Sequence, residues 1–127
     1  MNQVIVITGA GGVLCSGFAE FLAGKGAQVA LLDLNEQAAE AVAEKIRAAG
    51  GEATAYKTNV LDKANLEEEH QAVLARYGTC DILINGAGGN NPRCTTLHEE
   101  YEAGDETAED FLTFFNIEEK GFDFVFD

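Results

Sequence analysis

The chain has 127 residues, 46% of them hydrophobic and 24% charged, a composition that suits one globular domain and excludes a disordered chain. Eight basic residues against 22 acidic ones give a formal net charge of −14, which argues against a nucleic-acid partner, because phosphate backbones are bound through Lys and Arg. No stretch approaches the ~20 apolar residues of a membrane span, and Met1-Asn2-Gln3 leads into Val4 without the basic region of a secretory signal, so the cytoplasm is the expected compartment.

In chain order, Gln3 to Thr8 is apolar and β-branched and ends at a glycine cluster, the pattern of a strand buried on both faces of a parallel sheet. Phe18, Ala19, Phe21 and Leu22 then recur at helical spacing as an apolar face, and Gly24-Lys25-Gly26 stops that helix. Gln28 to Leu32 is a second strand ending at Asp33. Asn35 opens a helix with Ala38, Ala39, Val42, Ala43 and Ile46 as its inward stripe before Gly50-Gly51. Glu52 to Asn59 is a third strand. Asp62 caps a helix carrying Leu66, His70, Val73 and Leu74 as far as Tyr77-Gly78, and Asp81 to Asn85 is a fourth strand that breaks at Gly86-Ala87-Gly88-Gly89.

Four strands alternating with three helices over short connections predict an α/β fold, a doubly wound parallel sheet, since parallel neighbours need crossovers. Residues 1–127 are expected to form one domain, with about 89–110, polar and holding Pro92, as an acidic insertion loop. Phe111 to Asp127 turns aromatic again and predicts the start of a fifth, core-facing element, so the sheet is expected to be truncated after about four strands. Eleven of the 22 acidic residues fall after Leu97, against Lys120 as the only base there, the pattern of a solvated surface. A calcium site is the alternative, and Asp105-Glu106 lacks the D-x-[DN]-x-[DN]-G ladder. Cys15, Cys80 and Cys94 form no C-x-x-C pair and fit neither a disulfide framework nor a zinc site, so no metal is expected.

The turn from Thr8 to Gly17 lies between a strand and a helix. A diphosphate approaches backbone closely only where side chains are absent, and the helix start offers N–H groups and a positive dipole end. Gly9, Gly11 and Gly12, with Leu14 in the following turn, are the candidate diphosphate residues. Gly9 to Leu14 is not a strict G-x-G-x-x-G, and a tight turn without a ligand is the alternative. A Walker loop is excluded, because Phe18-Ala19 follows Gly17 where Lys-Ser/Thr is required. Asp33, 21 residues after Gly12 and followed by Leu34, can accept both hydroxyls of an adenosine ribose; its alternative is a turn or capping role. Its charge would repel a 2′-phosphate, and no Lys or Arg adjoins it in sequence, which favours NAD over NADP. Glycine turn and acid alone leave S-adenosylmethionine open as a ligand.

Thr8-Gly9-Ala10 with Gly12, Asp33, Asn59-Val60 and Asn85-Gly86-Ala87-Gly88, at successive strand ends, resembles the short-chain dehydrogenase/reductase family over the whole chain. The resemblance implies a Rossmann fold in which the glycine turn binds the diphosphate, Asp33 the ribose, Asn59 and Val60 the adenine, while Asn85, Ala87 and Gly88 support the cofactor. Four positions depart from the family pattern: Val13 and Cys15 stand where it has glycines, Asn59 where it has Asp, and Gly86 where it has a second Asn, a change expected to loosen that turn. Gly11 to Gly17 and Asn85 to Pro92, with the acidic insert before Gly121-Phe122, resemble the D-mannonate oxidoreductase (short-chain fructuronate reductase) group. That implies a sugar-acid substrate, NADH in preference to NADPH, and a homo-oligomeric parent protein.

The family's chemistry uses a Ser and a Tyr-x-x-x-Lys, and proton transfer needs such a tuned group beside the carbonyl. Here the tyrosines are followed at +4 by Val60, Asp81 and Asp105, so no catalytic residue is assigned. His70, among Glu67, Glu68 and Glu69, and His98, before Glu99-Glu100, lack an arranged partner. Cys15 reads as a small packing residue. The chain is thus expected to be either the first half of an NAD-dependent oxidoreductase or a non-catalytic dinucleotide-binding module or partner subunit.

Overall fold

The computed structural model describes residues 2–89, 103 and 117–126. The chain divides into two units, Met1–Ala87 and Gly88–Asp127. In the first, β1 (Val4–Thr8), α1 (Val13–Gly24), β2 (Gln28–Asp33), α2 (Glu36–Ala48), β3 (Glu52–Lys57), α3 (Lys63–Tyr77) and β4 (Ile82–Asn85) follow one another. The four strands form one parallel sheet in the order β3-β2-β1-β4, the doubly wound arrangement expected from the alternation of elements.

Helices α2 and α3 start where the sequence supplies a side-chain cap. Asn35 Oδ1 accepts the Ala38 N–H at 3.1 Å, and Asp62 Oδ1 accepts those of Ala64 and Asn65 at 3.0 and 3.3 Å. Asp81 stands just before β4 and ties it to β1 in both directions: its carboxylate accepts the Val4 N–H at 2.8 Å, and its own N–H donates to the Val4 carbonyl at 2.9 Å.

The sheet's two faces are unequally covered. Ile5, Ile7, Val29, Leu31 and Ala53 point to one side and pack with Cys15, Ala19 and Ala23 of α1 and Ala39, Val42, Ala43 and Ile46 of α2. Val6, Ala30 and Leu32 point to the other, where only Val73 of α3 is fully buried with them and Tyr56 and Tyr77 pack at the margin. The inward stripe of α2 is as expected except that Ala38 is only half-buried. That of α1 is different. Its buried row is Cys15, Ala19 and Ala23, small residues four apart that bring the helix close to the sheet, whereas Phe18 and Phe21 are 43% and 64% exposed. Phe21 lies under the Lys25 ammonium at 5.4 Å. In α3, Leu66 and His70 are likewise on the surface.

The second unit is described at α4 (Glu119–Phe126), where Gly121 is buried and Val125 half-buried, four residues apart on one side. Phe122 and Phe124 are exposed, so the expected core-facing element is a helix whose described aromatics face outward. The remainder of the expected insertion loop, with Cys94 and His98, lies outside the described residues. Among the described residues no helix is long and apolar enough to cross a membrane, and no cluster of His, Cys, Asp and Glu could hold a metal.

Replacing Asp81 by Ala removes the acceptor of the Val4 N–H at the start of the central strand. Stability in urea should fall by about 1–2 kcal/mol with an unchanged m-value, the cost of leaving that N–H unpaired.

Candidate functional site

The sheet's connections reverse direction between β1 and β4. From β1 the chain moves to β2 and β3 on one side, while β4 lies on the other. In open parallel sheets the crevice at such a point, beyond the carboxyl ends of the strands, is where ligands bind. Thr8, Asp33, Asn59 and Asn85 all stand at or just past those ends.

The ends of β1 and β4 are joined beyond their ladder. The Thr8 hydroxyl accepts the N–H groups of Gly86 and Ala87, both at 3.1 Å. Gly9 turns away with φ 66°, and a Cβ there would lie 2.7 Å from the Gly86 carbonyl oxygen and 2.8 Å from the Ala87 nitrogen. Only glycine satisfies both the backbone angle and the approach. A Cβ on Gly86 would fall inside Cys15 Sγ and 2.8 Å from the Thr8 carbonyl oxygen. The turn at Gly86 is therefore tightly packed and not loosened: the volume that a side chain at 86 would occupy is filled by Cys15, which is buried as a packing residue.

On the β2 side, Asp33 is held by two backbone donors. Its Oδ2 accepts the Gly11 N–H at 2.9 Å and its Oδ1 the Asn35 N–H at 2.8 Å. Gly11 sits against α2, where a Cβ would approach Ala38 Cβ to 2.7 Å. The turn closes with Gly12 N–H on the Gly9 carbonyl at 3.1 Å, and Gly12 begins α1 with no side-chain cap. Of the three helices of this unit, α1 alone starts uncapped, above a turn stripped of side chains. Val13 and Leu14 are 96% and 68% exposed at its first turn.

Asn59 follows β3. Its N–H donates to Asn65 Oδ1 at 2.7 Å and its Oδ1 accepts the Leu61 N–H at 3.1 Å, so the residue is fixed by α3 and not by the glycine turn. Asn65 also reaches Glu69, whose carboxyl is raised above the usual carboxylate range chiefly by burial. Val60 and Asn85 line, with Thr8, Leu32 and Leu83, an apolar cavity of about 390 Å³ on the α3 side of the sheet. Leu34 lines an open groove of about 640 Å³ with Asp33, Asn35 and Lys57.

The structure thus brings Gly9, Gly11, Gly12, Asp33 and Ala87 into one hydrogen-bonded rim, with Asn85 ending β4 beside it and Leu14 on the open side of α1. Gly88 opens the second unit. The Thr8 hydroxyl and Lys57 carry no signal in local sequence spacing, since each acts across a strand pairing. Asn65 does carry one, three residues after the Asp62 cap. His70 is exposed beside Glu67, with 3.8 Å between its Nδ1 and the carboxylate, and lines the same apolar cavity as Val60 and Asn85.

Gly86→Ala should destabilise the chain by about 1–3 kcal/mol through overpacking. Adding Cys15→Ala should restore part of that loss, because it removes the clash with sulfur but not the one with the Thr8 carbonyl. Denaturant melts of the two single variants and the double one give the coupling.

Comparison with known proteins places this geometry. A family model described as short chain dehydrogenase matches residues 3–121. An uncharacterized oxidoreductase of Haemophilus influenzae is 52% identical over 125 residues, and one of Bacillus subtilis 45% identical over 125. Each alignment covers 98% of this chain but only 43% and 44% of those relatives, so the chain spans less than half their length. The crystal structure of a Haemophilus influenza protein described as a candidate D-mannonate oxidoreductase, with bound NAD, superposes with a TM-score of 0.88 at 52% identity, over 98% of this chain and 44% of that one. A metagenomic short-chain oxidoreductase in complex with NADP superposes with a TM-score of 0.69 at 33% identity, over 82% and 47%. Sequence match, strand order and the glycine turn after β1 agree: the chain belongs to the short-chain dehydrogenase family.

Proposed function

We propose that this chain binds NAD(H) at the carboxyl ends of β1, β2 and β3, as the dinucleotide-binding part of an oxidoreductase. The observation that carries this reading is the uncapped start of α1 above a turn in which Gly9 and Gly11 leave no room for a Cβ, with Asp33 fixed beside it. The relative that holds NAD, at 52% identity across nearly the whole chain, supports the same ligand.

In this reading the first-turn N–H groups of α1 and the backbone around Gly12 hold the diphosphate. Asp33 accepts the ribose hydroxyls with the lone pairs left after Gly11 and Asn35 are satisfied. Asn59 keeps its amide NH₂ for the adenine, whose face lies against Val60. Leu14 and Leu34 flank the two ends of the dinucleotide, and Asn85, Ala87 and Gly88 support it from the end of β4. Asp33 favours NADH over NADPH, because a carboxylate repels a 2′-phosphate. When bound, the cofactor supplies a hydride donor or acceptor.

For the parent protein we propose hydride exchange between NAD(H) and a sugar acid of the fructuronate/mannonate type, in a cytoplasmic homo-oligomer. The 127 residues hold no Tyr-x-x-x-Lys, and a second reading of the chain by itself is a non-catalytic dinucleotide-binding module. Both readings require NADH binding. They part on turnover: the 127-residue chain, given NADH and fructuronate, should bind the first and reduce none of the second.

Titration calorimetry of the chain with NADH should give a saturable isotherm, and Asp33→Asn should weaken it about tenfold, since an amide cannot accept from both backbone donors and two hydroxyls. The same variant should lose about 1 kcal/mol of stability. A folded wild-type chain that takes up no NADH would overturn the proposal.

A further inference from the structure

Lys57 is 24 residues from Asp33 in sequence and beside it in space. The two end adjacent parallel strands as direct register partners, and the Thr58 N–H on the Asp33 carbonyl at 2.9 Å extends the pairing past them. Their side chains share one side of the sheet. Val29 and Leu31 before Asp33, and Ala53 and Ala55 before Lys57, all pack toward α1 and α2, and a strand repeats every second residue. At the strand ends this side opens into the groove above the start of α2, which Asp33, Asn35, Glu36 and Lys57 line together.

Asp33 cannot turn to pair with Lys57, because each of its oxygens is already held by a backbone donor, Gly11 N–H on one and Asn35 N–H on the other. Among the described residues no carboxylate lies within ion-pair distance of the Lys57 ammonium. The groove therefore presents one fixed acid, Asp33, a second, exposed acid, Glu36, and one base, Lys57, that no described carboxylate pairs with.

We propose that Lys57 is a specificity-determining residue of the ribose end of this groove, offering a counter-charge to a phosphate on the 2′-position and so limiting how strongly the chain discriminates against NADPH. The inference rests on the reading of the groove as a dinucleotide site. A 2′-hydroxyl is neutral and takes little from a cation. A 2′-phosphate, close to doubly charged, is repelled by Asp33 and Glu36 and attracted by Lys57. Removing Lys57 thus acts on the ratio of the two affinities. Relatives of the chain are described with NAD and with NADP bound.

The test is calorimetric titration of NADH and NADPH into the 127-residue chain, in the wild-type background and in Asp33→Ser, where the main repulsion is relieved. Lys57→Gln should lower the NADPH-to-NADH affinity ratio about three- to tenfold in whichever background binds both nucleotides, and Lys57→Arg should keep it. The difference should shrink at high salt, as expected for a partly exposed charge pair. A ratio unchanged by Lys57→Gln, or NADPH binding undetectable in both backgrounds while NADH binds, would overturn the role of Lys57 alone. Absence of NADH binding to the wild-type chain would instead overturn the dinucleotide site itself.

Discussion

The end of β1 is the point on which the first unit turns. All five residues of β1 are buried, it has a parallel partner on each edge, and its register with β4 ends at Thr8 opposite Asn85. A ladder that ended there would let the two loops diverge. The Thr8 hydroxyl prevents this by accepting two successive N–H groups from the loop after β4, and Gly9, in the left-handed region, lets the backbone after β1 pass against that same loop. Both chains are then held at the reversal of strand order, and the crevice exists because they are.

The rim of that crevice is built from short polar side chains that are already satisfied. Asp33, Asn35, Asn59, Asp62 and Asn65 each accept at least one backbone N–H within the unit. None of them has to be reorganised before a ligand arrives, which lowers the ordering cost of binding. The same arrangement holds the Asp33 carboxylate in place through two backbone donors, with Lys57 beside it as the opposite charge at that end of the groove. Charge composition over the whole chain, at −14, says nothing of this; position does.

Packing is unequal on the two sides of the sheet, and this distributes stability. The α1–α2 side is dense because its helices present alanine and Cys15 in rows four apart, so that Gly11, Gly51 and Gly86 approach neighbours where even a Cβ would not fit. On the α3 side Val73 is the one fully buried residue of α3, Leu83 of β4 is 55% exposed, and an apolar cavity remains. Regions with few buried apolar contacts open at lower free energy, so β4 and α3 are the weaker part of the unit while the glycine turn, Asp33 and α2 lie on the stronger.

Much of this was legible in the chain itself wherever a signal is carried within three or four residues. The apolar runs marked the four strands, Asn35 and Asp62 marked helix starts through side chains that reach the next turn, and the glycines after β1 with Asp33 after β2 marked the candidate site. Two strands proved shorter at one end than the apolar pattern, β3 stopping at Lys57 and β4 starting at Ile82. What needed the tertiary structure was every relation across a strand pairing: Thr8 with Gly86, Cys15 beneath Gly86, Lys57 beside Asp33. It also decided which face of α1 is inward. Phe18 and Phe21 are the more hydrophobic choice, yet the sheet takes the small row of Cys15, Ala19 and Ala23, because close approach of helix to sheet requires small side chains between them. Sequence spacing fixes which residues share a face, and only the packed neighbours decide which face is buried.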